Sequence, residues 1–101
     1  MEQEPTMIKV VARNILKEGT KEQVLALLEE MIAETRKEEG CITYELYELD
    51  SSPNTITFIE EWESLAKLTA HINSEHFKRI IPAVGKFVAE DSPVEIYRRL
   101  Q

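Results

Sequence analysis

One stretch of the sequence, residues 59–77 (IEEWESLAKLTAHINSEHF), holds the side chains best suited to chemistry. It contains Glu60, the only tryptophan (Trp62) and both histidines, His71 and His76. A carboxyl group in apolar surroundings keeps its proton more readily, and histidine titrates near neutral pH. An indole ring can form one wall of a pocket. These residue types indicate proton abstraction from an acidic small molecule.

Asn14 and Glu60 each lie on the apolar face of a predicted strand, as the two-residue period of a strand shows. Glu60 shares its face with Phe58 and Trp62. Polar groups among apolar neighbours are costly unless they are hydrogen-bonded or face a cavity. An open cavity of roughly 300 Å³ or more beside both residues favours an enzyme, whereas a closed core, with Tyr44 or the backbone as hydrogen-bond partner, favours a structural role.

Each of these residues also has a simpler interpretation. Trp62 can be an ordinary core residue, and His71 and His76, at the flanks of their helices, can be solvated or capping groups. Cys41 follows Gly40 directly and fits a small buried hydrophobic residue, since nothing in the sequence indicates a lowered thiol pKa. It is the agreement of several weak signals on one face that favours a functional site.

The elements that position these residues begin with a strand over residues 7–16, where apolar and polar residues alternate. Thr20 and Gln23 have the spacing of a capping box, and apolar residues follow at helical spacing. This predicts a helix that runs to about Glu39, with Gly40 as its C-terminal stop.

The next segments, residues 41–49 and 55–62, indicate a β-hairpin. They are joined by residues 50–54, where Asp, Ser, Pro and Asn are typical of turns. Ser64 and Ser74 are placed to cap two short helices. Pro82 is expected to kink or break the second of these near Ile81, because proline lacks the amide proton that a helix uses.

A last strand is predicted over residues 93–100, which completes the order β-α-β-β-α-β. This order predicts an α+β, ferredoxin-like fold, in which both helical segments cover one face of a four-stranded antiparallel sheet. The opposite face of the sheet carries Val11, Ile15 and Ile59 among polar residues. A homodimer would cover this apolar surface.

Composition excludes several classes of partner. The chain has 101 residues and a net charge of −7, without a run of Lys or Arg, so nucleic acid is not expected. No apolar run is long enough to cross a membrane, and no signal peptide is expected. The single Cys41 and two histidines fall short of a structural zinc site and fit the cytoplasm. One domain is expected over residues 7–100, preceded by a disordered tail at 1–6.

An ordered set of residues along the chain resembles a known family. The set comprises Gly40-Cys41, Tyr44, the IEEWES segment, Ala70-His71 and the SEHF segment. It is similar to the signature of the antibiotic biosynthesis monooxygenase family, in particular its small quinol-monooxygenase-like members, over nearly the whole chain. The resemblance implies a dimer of ferredoxin-like domains whose sheets pack into a shared α/β-barrel, with one pocket per subunit.

The resemblance also implies an activity, namely oxygenation of quinols, anthrones or related phenols by O₂ without metal, flavin or heme. In this picture the substrate is deprotonated and its anion reacts with O₂ directly. Carried over by position, the catalytic residues are His71 and Glu60, and the substrate-binding residues are Asn14, Trp62, Tyr44, His76 and Phe58.

Other branches of the family leave alternatives open. A heme-degrading branch is similar in its strand Asn and Trp, but its heme-ligating histidine aligns with Ile81 here, which argues against heme. Another branch isomerises or processes phosphorylated signalling sugars, which would need basic groups, and Lys9, Arg13 and Lys17 point mostly to the wrong face. A non-enzymatic dimer that binds a small molecule is the alternative from a different functional class.

Overall fold

The computed structural model describes residues 7–101, so the expectation of a disordered tail at residues 1–6 lies outside the described part. Its strands are β1 (Ile8–Leu16), β2 (Cys41–Leu49), β3 (Ser52–Trp62), β4 (Val88–Glu90) and β5 (Glu95–Arg98), and its helices are α1 (Lys21–Thr35), α2 (Leu65–Ile72) and α3 (Glu75–Gly85). Among the described residues, no helix has the length and apolar character needed to cross a membrane.

The strands form one antiparallel sheet in the order β2-β3-β1, and β4 and β5 both pair with the remaining edge of β1. In the β1–β3 register, Val10 is opposite Glu60 and Asn14 is opposite Ile56. The α+β, ferredoxin-like prediction is confirmed. The register also places Asn14 and Glu60 on the same face of the sheet, as the two-residue period predicted.

Side chains from the helices and from this face of the sheet form one core. The buried core residues are Ile8, Val10, Leu16, Val24, Leu28, Met31, Tyr44, Ile56, Phe58, Trp62, Leu68, Ile80 and Val84. Helices α1 and α3 pack against each other over this core.

The C-terminal strand differs from the prediction of one strand over residues 93–100. The chain instead forms β4, which pairs with the end of β1 at Ile15 and Leu16, and β5, which pairs with the start of β1. Residues 91–94 separate the two strands and contain Pro93. Proline cannot donate a ladder hydrogen bond, so the pairing is interrupted there. The interruption matters because this connecting segment borders the cavity described below.

The ends of α1 also differ from the prediction. Thr20 adopts helical backbone angles and its hydroxyl donates to the Lys17 carbonyl (2.8 Å), so it forms no side-chain cap. The helix ends at Thr35, and the amides from Lys37 onward bond three residues back, as in Glu38 N–H to the Thr35 carbonyl. Gly40, at φ +91°, ends this connecting turn and not the helix itself.

The two predicted serine caps are confirmed. Ser64 accepts from the Lys67 amide and Ser74 accepts from the Phe77 amide, both at 3.3 Å. Of the kink or break expected at Pro82, the break is wrong, since α3 continues to Gly85. The helix carries buried apolar residues on both sides of the proline, and this packing outweighs the lost hydrogen bond, which costs about 3 kcal/mol in a helix interior.

The hairpin prediction is confirmed, but its turn is tighter than the five residues 50–54 that the sequence suggested. Ser52 already pairs with Leu49, and a register shift between Glu48 and Leu49 accommodates the early start of β3. Such an irregularity lets two strands keep pairing around a short turn.

The outer face of the sheet, away from the helices, is partly apolar. Val11, Ile15 and Ile59 are only half-buried there, and Val11 pairs directly with Ile59. Tyr47 and Tyr97 are exposed large hydrophobic residues. On β2 and β5, both tyrosines fall in register with this face.

Candidate active site

A cavity of about 400 Å³ lies between the inner face of the sheet, helices α2 and α3, and the chain from β4 to β5. Its apolar lining residues are Val10, Ala12, Leu28, Phe58, Leu68, Ile72, Phe77, Ile81, Val84, Gly85, Val88, Val94 and Ile96. Its polar lining residues are Arg13, Asn14, Tyr44, Glu60, His71, Glu90, Asp91 and Ser92. A mostly apolar cavity with a few converging polar groups is typical of small-molecule sites.

Glu60 is held in this cavity by β3 and is only 4% exposed. Its Oε1 accepts a hydrogen bond of 2.8 Å from the indole N–H of Trp62, two residues along the same face of the strand. Burial raises the pKa of the Glu60 carboxyl to about 7, although the Trp62 hydrogen bond opposes the shift and the charge of Glu38 adds to it. The carboxyl group can therefore both take and give a proton near neutral pH.

His71, in the last turn of α2, is 2% exposed and lines the same cavity. The prediction placed it at the edge of its helix, but α2 buries Leu68 and His71 and leaves Leu65 and Ile72 exposed. The imidazole fits into the core because aromatic rings surround it: the Trp62 ring centroid is 4.7 Å away. Burial lowers the pKa of His71, which favours the neutral imidazole, and the hydrogen bond to Glu38 opposes this shift.

Glu38, in the turn after α1, is a residue of the candidate site that the sequence did not reveal. Its Oε2 lies 2.8 Å from Nδ1 of His71 and 2.6 Å from Nε2 of His76. A carboxylate only accepts, so the Nδ1 of His71 carries the proton and its Nε2 keeps the lone pair. No local pattern distinguishes Glu38 from Glu39, because the histidine partners lie far along the chain.

Tyr44 and Phe58 form an aromatic wall of the cavity, on adjacent strands β2 and β3. Their rings stack with centroids 4.7 Å apart and planes at 29°. Tyr44 also meets the His71 ring edge to face, at 5.4 Å. Burial raises the pKa of the Tyr44 phenol, so this hydroxyl stays protonated. Asn14 borders the cavity as well, and its amide makes only a long 3.4 Å contact with the Ala12 carbonyl.

Five of the seven residues predicted from the sequence therefore border one cavity: His71, Glu60, Asn14, Tyr44 and Phe58. The other two, Trp62 and His76, do not line it. Trp62 is fully buried behind the wall, where it contacts both Glu60 and His71. His76 lies at the start of α3 on the far side of Glu38.

Two further residues bear on the predictions. Arg13, which the strand period assigns to the opposite face of β1, also borders the cavity, together with the acidic Glu90 and Asp91. Cys41 is only partly buried, and burial next to the charges of Glu38 and Glu60 raises the pKa of its thiol to about 11. The thiol is therefore protonated at neutral pH and is a poor nucleophile.

The chain is similar to known proteins in both sequence and structure. The family model described as antibiotic biosynthesis monooxygenase matches residues 7–83. "Probable quinol monooxygenase YgiN" of Escherichia coli K12 is 31% identical over 94 residues, which cover 83% of this chain and 90% of that protein. The crystal structure of a conserved protein from Methanosarcina mazei Go1 superposes with a TM-score of 0.90 at 37% identity, covering 93% of each chain.

A cyanobacterial relative is longer than this chain. The uncharacterised Synechocystis protein sll1783 is 33% identical over 90 residues, which cover 88% of this chain but only 61% of that protein.

Proposed function

This chain belongs to the antibiotic biosynthesis monooxygenase family, and on that premise we propose that it is a cofactor-independent monooxygenase of a quinol, an anthrone or a similar phenolic molecule. The observation that carries the proposal is the cavity of about 400 Å³ in which a carboxyl group with a pKa of about 7 and a neutral histidine meet an aromatic wall. The name of the Escherichia coli relative supports a quinol as the type of substrate.

The proposed chemistry requires stabilisation of a substrate anion. Dioxygen reacts slowly with a neutral phenol and faster with its electron-rich anion. For an anthrone-type methylene group, the balanced change is R₂CH₂ + O₂ → R₂C=O + H₂O. A base removes one C–H proton, and the carbanion transfers an electron to O₂ and recombines with it to form a C–O bond. The resulting peroxide anion takes up a proton and becomes a hydroperoxide. Loss of the second C–H proton then breaks the O–O bond, and the departing hydroxide takes up a proton to become water.

In this scheme His71 is the base, because its ring lines the cavity and Glu38 holds Nδ1, which leaves the Nε2 lone pair to accept a proton. Glu60, with a pKa near the working pH, supplies the proton for the departing hydroxide or exchanges protons with the substrate. A positioned proton-transfer group contributes about 10²- to 10⁴-fold to a rate.

Binding of the substrate ring is assigned to the aromatic wall and to Asn14. Tyr44 and Phe58 offer an apolar surface for the ring, and the Asn14 amide can donate to a substrate oxygen. Trp62 acts indirectly in this proposal: its N–H orients the Glu60 carboxyl group, and its ring supports His71. The sequence assigned His76 to substrate binding, but His76 lies outside the cavity. We propose instead that it holds Glu38 in place.

The test is oxygen uptake with a panel of hydroquinones and anthrones in chelator-treated buffer. We expect His71→Ala to lower kcat by about 10²-fold or more, and Glu60→Gln and Asn14→Ala to lower kcat/KM. Glu61→Gln is the matched control, since Glu61 is the next residue on β3, faces away from the cavity and pairs with Lys9.

Two outcomes would contradict the proposal. If no compound raises oxygen consumption above the protein-free rate, oxygenation loses its support. If a substrate is found but His71→Ala and Glu60→Gln both keep the full rate, the assigned proton-transfer residues are wrong.

A non-enzymatic dimer that binds a small molecule is the remaining candidate, and it is favoured if panel compounds bind in the cavity without oxygen uptake.

A phosphorylated sugar fits the cavity less well, because three acidic residues, Glu60, Glu90 and Asp91, border it and only one basic residue, Arg13, does. The negative charge of a phosphate would be repelled by that balance.

We further propose that the protein is a homodimer formed through the outer face of the sheet and that it works in the cytoplasm. Half-buried Val11, Ile15 and Ile59 give this face an apolar centre that water would otherwise cover. A second copy of the chain presents the same patch, as a two-fold interface requires.

The proposed cytoplasmic location is supported by Cys41, whose single, protonated thiol fits a reducing compartment.

A further inference from the structure

We propose that Glu38, His71 and His76 form a binding site for a divalent transition-metal ion, and that an ion bound there inhibits the enzyme. The three side chains, called the Glu38 cluster below, come from the turn after α1, the end of α2 and the start of α3. Their nearest oxygen and nitrogen atoms all lie within 4.8 Å of one another.

The geometry of the Glu38 cluster carries the proposal. Both imidazoles direct a nitrogen at the same carboxylate atom, Glu38 Oε2, at 2.8 Å for His71 Nδ1 and 2.6 Å for His76 Nε2. In a metal site with bonds of about 2.0–2.2 Å, neighbouring ligand atoms are roughly 3 Å apart. An ion that replaces the two shared protons therefore needs only small shifts of these side chains.

The surroundings also suit an ion. The side chains are 2% (His71), 12% (His76) and 16% (Glu38) exposed, so the cluster is sheltered but remains open at one side, where water can complete the coordination. Ser74 lies beside it, with its hydroxyl 3.3 Å from Nε2 of His76 and donating to the His71 carbonyl at 2.7 Å.

The ligand chemistry selects the class of ion. Two imidazole nitrogens and one carboxylate oxygen suit Zn²⁺, Co²⁺, Ni²⁺ or Fe²⁺, whereas Mg²⁺ and Ca²⁺ prefer oxygen ligands alone. The sequence prediction of no metal site counted one Cys and two His and could not include Glu38, because only the fold brings the turn after α1 to the two histidines.

Inhibition follows from the two nitrogens of His71, and this part rests on the proposed function. An ion on Nδ1 leaves a neutral imidazole whose only proton is on Nε2. Nε2 then donates a hydrogen bond and no longer accepts a proton, so the base is lost while the residues that line the cavity stay the same.

The experiment is a titration of untagged protein with Co²⁺, followed by its visible absorption, and with Zn²⁺ in competition with a chromogenic chelator. We expect one ion per chain, no response to Mg²⁺, and binding about 100-fold weaker or worse in Glu38→Gln and His76→Gln, since even supporting contacts of a metal site are worth 10- to 100-fold. Glu39→Gln is the matched control, being the adjacent, exposed carboxylate. Binding that is absent in the native protein, or unchanged in both variants, overturns the proposal.

A second measurement covers the case of a variant that fails to fold. In ¹⁵N-labelled native protein, Zn²⁺ should move the ring proton to Nε2 of His71 and to Nδ1 of His76, and a ring proton that stays on Nδ1 of His71 or on Nε2 of His76 refutes the assigned ligands. Once a substrate is known, Zn²⁺ should lower oxygen uptake of the native protein but not that of His76→Gln, each relative to its own metal-free rate. If Zn²⁺ binds but leaves the native rate unchanged, the inhibitory part is wrong; if no substrate is found, only the proposed function fails.

Discussion

Replacing Glu60 by glutamine should make the protein more stable at alkaline pH, because the ionised carboxylate is costly in its position. Glutamine has nearly the same shape and can keep its oxygen as acceptor for the Trp62 N–H, which now binds Oε1 at 2.8 Å. The substitution removes the charge and leaves the packing in place. The change in stability with pH then reports the cost of burying that charge.

The magnitude follows from the pKa shift of Glu60, from 4.5 to about 7. A folded pKa above the unfolded value means that stability is full below about pH 4.5 and is lost as the pH rises through 7. At about 1.4 kcal/mol per pKa unit, the loss is on the order of 3 kcal/mol by about pH 8.5. Little of it is screened, since the side chain is 4% exposed.

The assay is urea unfolding of native protein and Glu60→Gln from about pH 5 to pH 8.5, at one fixed protein concentration because a dimer makes stability concentration-dependent. The difference in unfolding free energy between variant and native protein should move in favour of the variant by about 2.5 kcal/mol over this range, because part of the loss has already occurred at pH 5. Glu63→Gln, an exposed carboxylate beyond the end of β3, controls for the loss of a charge in this region. Parallel curves for Glu60→Gln and native protein would refute the reasoning.

Three further changes test other contacts. Trp62→Phe removes the donor to Glu60 and should cost about 1–3 kcal/mol, with the larger cost at pH 8.5 than at pH 5 by urea unfolding; an equal cost at both values would contradict this role. Gly40→Ala should destabilise the folded protein by more than about 1 kcal/mol, since φ is +91° and the added Cβ would overlap a lysine side chain. Gly19→Ala, at φ +77° in open space, should cost less. Equal shifts of the melting temperature in the two variants would show that the overlap is unimportant. Ile59→Asp should convert a dimer of about twice 11.7 kDa to monomer in sedimentation, and a native protein that is monomeric at all concentrations removes the dimer proposal.

The sequence determined much of the fold because its signals are local. Alternation of apolar residues predicted β1 and its inner face, and Ser64 and Ser74 marked the starts of α2 and α3 through their own hydroxyl groups. Periodicity also predicted that Glu60 and Asn14 face the same side as the core, and both border the cavity. A local rule allowed a break at Pro82, but tertiary packing competes with that rule, and the proline remains inside a helix that buries apolar residues on both sides of it.

Only the tertiary structure decided how the candidate site is assembled. The alternation rule could place Trp62 on the inner face, but its position behind the cavity wall depends on the rings and helices packed around it. Glu38 is one of many glutamates in the sequence and gains its partners only when α2 and α3 fold back over the turn after α1. Burial, and therefore the pKa values of Glu60 and His71, depends on contacts between residues distant in the chain, and a local sequence pattern does not encode such contacts.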